Sequence, residues 1–284
     1  MVKIMVTGIG GPAGRNVTLL LLEKGHTVIG VDMQRISFPG VKVHRIPPAS
    51  HPSFLEKLYT LTVEESIQLL IPTVSEELPI LASEWKNWSD IPAVIGQYQP
   101  VSDADDKFLT YKRLSSHGVC VPRYLLPSQV SSPEEISLNL GWPCLSKPRV
   151  GRGGREVIVR NIKDWPAISM LDDRYILQEF IPGTDYAPEV YIGKKSVIVV
   201  LEKTRLKEGI VGNAAEVKRV NAPDVADIAI SAAKAMNLTG PMDIDIRRRN
   251  DHNPVVLEVN ARFGANIAQA KEVLDAVLED FGVC

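Results

Sequence analysis

The sequence predicts an α/β protein in which a parallel βαβ unit precedes two mixed α+β lobes. Strand and helix signals alternate over the first hundred residues, the rhythm of a parallel sheet with helices on both faces. Beyond residue 100 the texture changes to short β-type runs punctuated by Gly and Pro. Apolar residues at 45% and charged residues at 23% of 284 describe a globular chain long enough for more than one folded unit. The expected units are 1–100, 101–182 and 183–284.

The strand Lys3–Thr7 runs into a glycine turn, Gly8 to Gly14, and a helix over 16–24 that Gly25 ends. A second strand, 27–31, closes at Asp32. Residues 66–71, a helix over 76–88 and a short strand at 93–95 complete the first unit. Ser102 or Asp103 caps a helix to Ser116, with Gly118 and Pro122 beyond it. Strands 143–147 and 156–160 flank a loop of Pro148, Arg149, Gly151, Arg152, Gly153, Gly154 and Arg155. Strand 175–180 stops at Pro182-Gly183. A hairpin (189–192 and 196–202), a helix (224–236), strands 242–247 and 255–259, and a helix over 268–279 follow.

Thirty-two Lys and Arg against 34 Asp and Glu leave a net charge of −2, without a global basic field for nucleic acid. Apolar stretches such as 17–22 are too short to span a membrane, and the first residues lack the pattern of a secretory leader. Cys120, Cys144 and Cys284 are too scattered for a disulfide framework or a metal knuckle, so Cys120 and Cys144 are expected in the core. His44 and His51 have no third ligand nearby and read as surface residues. His117 reads as a cation at a helix C-terminus. A soluble, cytoplasmic chain is expected, with a homodimer as the assembly allowed for.

Gly8, Gly11 and Gly14, with Asp32 ending the next strand, stand in the context of a dinucleotide-binding turn. Tyr191 and Lys195 supply the Tyr/Lys spacing of a short-chain, NAD(P)-dependent oxidoreductase, the alternative function. Gly193 puts that pair across a hairpin turn rather than on a helix face. A tight strand-to-helix turn that binds no ligand is the preferred account of the glycines, with a ligand other than a dinucleotide as the remaining alternative.

Four further segments share one chemistry. Lys147 leads into the basic glycine loop, whose N–H groups and cations suit phosphates, although such a loop is also a solvated hairpin tip. Gln178-Glu179-Phe180-Ile181-Pro182-Gly183-Thr184-Asp185 makes a hinge whose backbone can read an adenine edge while Asp185 takes ribose hydroxyls; a plain turn is the competing account. Asp243 and Asp245 share one strand face, as do Glu258 and Asn260 on the next strand, and a hairpin makes the two strands neighbours. Hard oxygens so placed suit Mg²⁺, with Mn²⁺ as the alternative ion. Arg262 stands immediately beyond, placed to clamp a transferring phosphoryl group. Lys203 and Arg205 reach the same phosphates, with surface charge as the competing account. Arg247, Arg248 and Arg249 read as a solvated hairpin tip, with Arg247 nearest the site.

In order and spacing these segments resemble the ATP-grasp superfamily, closest in flavour to carbamoyl-phosphate-synthase-like members, and the resemblance covers nearly the whole chain. It implies a Rossmann-like pre-ATP-grasp domain (1–100), a small lid subdomain (101–182) and a large metal and substrate subdomain (183–284). It implies ATP contacts from Lys107 and Lys147, a lid at residues 149–155 that includes Arg149, Gly153 and Gly154, adenine contacts from the Gln178–Ile181 hinge, and ribose on Asp185. Asp245, Glu258 and Asn260 fall on metal-ligand positions, and Arg262, with Lys203 and Arg205, on catalytic ones. Asp185 replaces the commoner Glu, Ala261 stands where many members have Pro, and the lid is unusually basic. The implied function is an ADP-forming carboxylate–amine (or thiol) ligase, working through an acyl phosphate on small molecules, with ATP and Mg²⁺ as cofactors.

Overall fold

The computed structural model describes residues 1–151, 154–206, 214–250 and 253–283. Strands β1 (Lys3–Thr7), β2 (Thr27–Asp32), β3 (Lys42–Arg45) and β4 (Leu69–Ile71) form a parallel sheet in the order β3-β2-β1-β4. Alternation along β1 sends Ile4 and Val6 to one face and Met5 to the other. Ile4 and Val6 pack under α1 (Pro12–Glu23). Met5 packs under α2 (Phe54–Glu64) and α3 (Leu78–Trp88). Both faces are thus covered, which accounts for strands apolar at nearly every position. The first helix begins at Pro12, a turn earlier than expected, because proline suits the first helical position.

The single helix expected to end at Ser116 is two, α4 (Tyr98–Asp105) and α5 (Lys107–Ser116). Asp106 breaks the run with an extended backbone, and its carboxylate accepts the N–H groups of Phe108 and Leu109. The cap is therefore Asp106 rather than Ser102 or Asp103, and it puts Lys107 at the first helical position.

A small antiparallel sheet follows, β5 (Tyr124–Leu125), β6 (Cys144–Pro148), β7 (Ile158–Arg160) and β8 (Tyr175–Glu179), in the order β5-β8-β6-β7. The helices α6 (Pro133–Asn139) and α7 (Trp165–Ile168) close its core through Ile136 and Ile168. The last sheet contains β9 (Gly183–Tyr186), β10 (Glu189–Ile192), β11 (Ser196–Val199), β12 (Leu201–Leu206), β13 (Ala214–Arg219), β14 (Gly240–Arg249) and β15 (Pro254–Asn260). Strand β14 is its axis: β15 lies on one edge, and β10 and β9 divide the other. Met242, Ile244 and Ile246 pack beneath β14 on α8 (Pro223–Ala235), which turns Asp243, Asp245 and Arg247 to the opposite face. The final helix, α9 (Lys271–Asp280), packs into the core that α1 also covers and so joins the last unit to the first. No helix among the described residues is long and apolar enough to cross a membrane.

Candidate active site

The face of β14 opposite α8 is the floor of a cleft whose other wall is the small sheet. Antiparallel register sets Asp245 opposite Glu258 and Asp243 opposite Asn260. Each oxygen donor of the Asp245, Glu258 and Asn260 set meets a protein cation. Lys203 Nζ lies 2.6 Å from Asp245, Lys107 Nζ lies 3.4 Å from Glu258, and Arg262 Nη2 donates to Asn260 Oδ1 at 3.1 Å. Lys203 keeps a raised pKa: burial alone lowers it, and the Asp245 carboxylate more than compensates. The donor set of two carboxylates and an amide oxygen suits a hard divalent cation, which takes few protein ligands when phosphates supply the rest. Among the described residues no three His, Cys, Asp or Glu side chains gather for a metal.

Lys147, on β6, enters from the small sheet and is 6% exposed. Its Nζ donates to Tyr111 Oη at 2.9 Å and lies 5.2 Å from the centre of that ring. The Tyr111 hydroxyl lies 2.7 Å from both Gln178 Oε1 and the Leu257 carbonyl. Leu257 is the extra residue of a bulge in β15, so its carbonyl turns toward the cleft. Burial first, then the nearby Lys107 charge, lower the Lys147 pKa to about 7. Lys107 also donates to the Gly151 carbonyl at 2.9 Å, tying the glycine loop to the start of α5.

Behind Arg262 lie Asp243 and a second acid, Glu189, that sequence reading did not assign to the site. Glu189, on β10, is fully buried and opposes Asp243 in register. Its Oε2 accepts the Gly264 N–H at 3.0 Å. Gly264 approaches so closely that a β-carbon there would sit 2.1 Å from Glu189 Oε1 and 2.7 Å from Asp243 Cγ. Burial raises both carboxyls, Asp243 to about 6 with the Asp245 charge adding to it, and Glu189 well above its ordinary value with the Asp243 charge adding to it. Arg262 bridges units: Nε donates to Ser75 Oγ at 3.0 Å, Nη1 to the Phe263 carbonyl at 2.8 Å, and Nη1 lies 3.5 Å from Asp243.

The hinge departs from expectation in its side chains. Gln178 and Ile181 line the cleft, whereas Phe180 is half-buried outside its lining. Glu179 is clamped by Arg123 (3.0 Å) and Arg249 (2.5 Å), which overcome its burial and lower its pKa. Its amide donates to the Arg123 carbonyl at 3.0 Å. Asp185 is gripped through both oxygens by Arg247, whose Nη1 also donates to the Ile181 carbonyl at 2.8 Å. Arg248 pairs with Asp224 at 2.6 Å and lies 4.8 Å from the Tyr186 ring centre. Arg247 and Arg249 brace the hinge and Arg248 ties β14 to α8, so the three do not form a solvated tip.

Other expectations are corrected. Lys203 and Arg205 share strand parity, but register irregularities on either side of Arg205 intervene. Arg205 instead pairs with Glu216 at 2.6 Å on the exposed surface. Arg149 does not hang free over the cleft. It holds Asp106 through Nε and Nη2, donates to the Asp173 carbonyl and lies 5.0 Å from the Phe108 ring centre. Gly154 lines the cleft with φ +74°, and Gly153 lies outside the described residues. Cys144 is buried, but Cys120 is exposed. Tyr191 is buried and donates to Asp280 at 2.6 Å, while Lys195 is exposed on Glu279, so the oxidoreductase pair does not converge.

A family model described as the ATP-grasp domain matches residues 104–266. Among solved structures, the chain is similar to a Staphylococcus aureus N5-carboxyaminoimidazole synthetase complexed with ADP, at TM-score 0.74 and 14% identity, covering all of this chain and 78% of that one. It is similar to an L-amino acid ligase from Bacillus licheniformis, at TM-score 0.70 and 16% identity, covering 96% of this chain and 70% of that one. A Bacillus anthracis D-alanine–D-alanine ligase gives TM-score 0.65 and 15% identity, with 99% and 97% covered. No curated protein sequence matches the chain. More than half of the chain fits the one family model, and the chain belongs to the ATP-grasp family.

Proposed function

We propose that the protein is an ATP-dependent carboxylate–amine ligase that forms ADP, phosphate and an amide through an acyl phosphate. One observation carries this reading: Lys147 and Lys107 face Asp245, Glu258, Asn260 and Arg262 across a single cleft. A triphosphate lying there meets buried ammonium groups on one side and hard oxygens on the other. The solved structures of similar fold include a synthetase complexed with ADP, an L-amino acid ligase and a D-alanine–D-alanine ligase, in keeping with that chemistry.

Lys147 and Lys107 neutralise the nucleotide's phosphates, and Gln178 with Ile181 borders the base. A Mg²⁺ held by Asp245, Glu258 and Asn260 would neutralise charge on the transferring phosphoryl group. Arg262, braced by Ser75 and Asn260, presents its guanidinium to the acid substrate and to the anion that develops as the carboxylate attacks the γ-phosphorus. The bond to ADP breaks as the acyl phosphate forms; an amine then adds to the acyl carbon and phosphate leaves. Work of this kind is positioning and charge neutralisation, which a braced cleft supplies without a covalent enzyme intermediate.

Product analysis tests the reading. ATP consumption should be acid-dependent and give ADP, and hydroxylamine should trap a hydroxamate. AMP with pyrophosphate would exclude the acyl-phosphate route.

A further inference from the structure

A second cavity adjoins the nucleotide cleft, and Arg155, Asp243, Arg262 and Ala265 line both. It lies over the glycine turn, at the carboxyl ends of β1 and β2. There β4 and β2 flank β1 on opposite sides, the position at which doubly wound sheets leave a crevice. The polar groups of its floor are engaged within the fold. Asp32 accepts from the Gly10 and Gln34 amides, both at 2.9 Å, and so braces the turn. Thr73 Oγ1 donates to the Thr7 carbonyl at 2.7 Å, and Thr7 Oγ1 donates to the buried Glu77. Ile36 packs directly on Gly10, where a β-carbon would meet its Cδ1 at 2.8 Å, covering the turn. What else faces the cavity is mixed, with Met33, Ile36, Ala49 and Ile80 beside the exposed Gln34 and Glu76. Met33 is 47% exposed.

We propose that this cavity takes the apolar body of the acid substrate, an aliphatic or arylalkyl carboxylate whose carboxyl group points to Arg262. The inference rests on the ligase reading for its chemistry. The occupant is fixed by continuity with the cleft: the cationic end of the cavity is the end nearest the phosphates, and its apolar wall lies away from them. Against a dinucleotide, the Gly10 and Gly11 N–H groups and both Asp32 oxygens already have partners within the turn.

The test measures acid binding and Mg-ATP binding separately on the full chain. Acetate, butyrate, hexanoate and 3-phenylpropanoate are titrated by ligand-observed NMR, and Mg-ATP is titrated by calorimetry. Affinity should rise about fourfold per buried methylene, equivalent to ~0.8 kcal/mol, so hexanoate should bind about 16-fold more tightly than butyrate. Met33→Asp should cost hexanoate at least tenfold while Mg-ATP affinity stays within twofold. Ser50→Trp, at an exposed lining position, should cost 3-phenylpropanoate similarly. Equal affinity along the series, no acid binding at millimolar concentration, indifference to both substitutions, or preferential NADH binding would each overturn the proposal. Graded acid binding without Mg-ATP binding would leave the cavity assignment standing and remove the ligase reading.

Discussion

Lys147 should take up a proton when ATP binds. In the free protein, burial and the neighbouring Lys107 charge hold its pKa near 7, and a triphosphate beside it must return it toward the ordinary lysine value of about 10.4. The sign follows. Above pH 7 the free amine is neutral and binding protonates it, so affinity falls as pH rises. A pKa of about 7 implies uptake of about 0.9 proton at pH 8 and about 0.1 at pH 6. Between pH 7 and 9 the dissociation constant should weaken about fiftyfold, or ~2.3 kcal/mol. Calorimetry in buffers of different ionisation enthalpy reads the proton count directly. Lys147→Met, which cannot titrate, supplies the baseline for ionisation of the nucleotide itself. Equal uptake in wild type and Lys147→Met, or net proton release, would refute the reasoning.

Further expectations follow from other contacts. Glu258→Gln or Asn260→Ala should lower kcat at least 100-fold with the circular dichroism spectrum unchanged; wild-type rates in either would remove them from the metal set. Gly264→Ala drives a β-carbon into Glu189 and Asp243, so overpacking of about 1–3 kcal/mol should appear in denaturant unfolding. Asp106→Ala removes the cap of α5 and the partner of Arg149. A loss of about 1 kcal/mol from the cap should accompany a raised KM for ATP, because Lys107 starts that helix. Arg205→Ala should change stability by less than about 0.5 kcal/mol and leave turnover intact, as expected of an exposed pair with Glu216.

Period two made the cleft floor readable. Once Met242, Ile244 and Ile246 were assigned to a buried face, Asp243 and Asp245 had to share the other, and the short hairpin brought Glu258 and Asn260 opposite. The same rule failed for Arg205, because irregular pairing beside it is invisible in composition. Helix α2 was missed although Phe54, Leu55, Leu58, Leu61 and Thr62 carry helical spacing; the prolines just before it directed attention to loop structure. The roles of Tyr111, Glu189 and Arg247 arise from partners 67, 75 and 62 residues away, Gln178, Gly264 and Asp185. No local pattern marks them, although an acid within an apolar strand at Glu189 was the available signal. Arg149 and Asp185 stand out in the sequence, yet each is held by a partner that only the folded chain supplies.

The account turns on a nucleotide and a divalent ion sharing the cleft between the small sheet and β14. Calorimetric titration of ATP, with and without Mg²⁺, addresses that directly. It should give one site per chain that tightens with Mg²⁺, and the Mg²⁺ dependence should vanish when Glu258→Gln and Asn260→Ala are combined. An ATP affinity indifferent to Mg²⁺ in the wild-type protein, or unchanged by the double substitution, would contradict it.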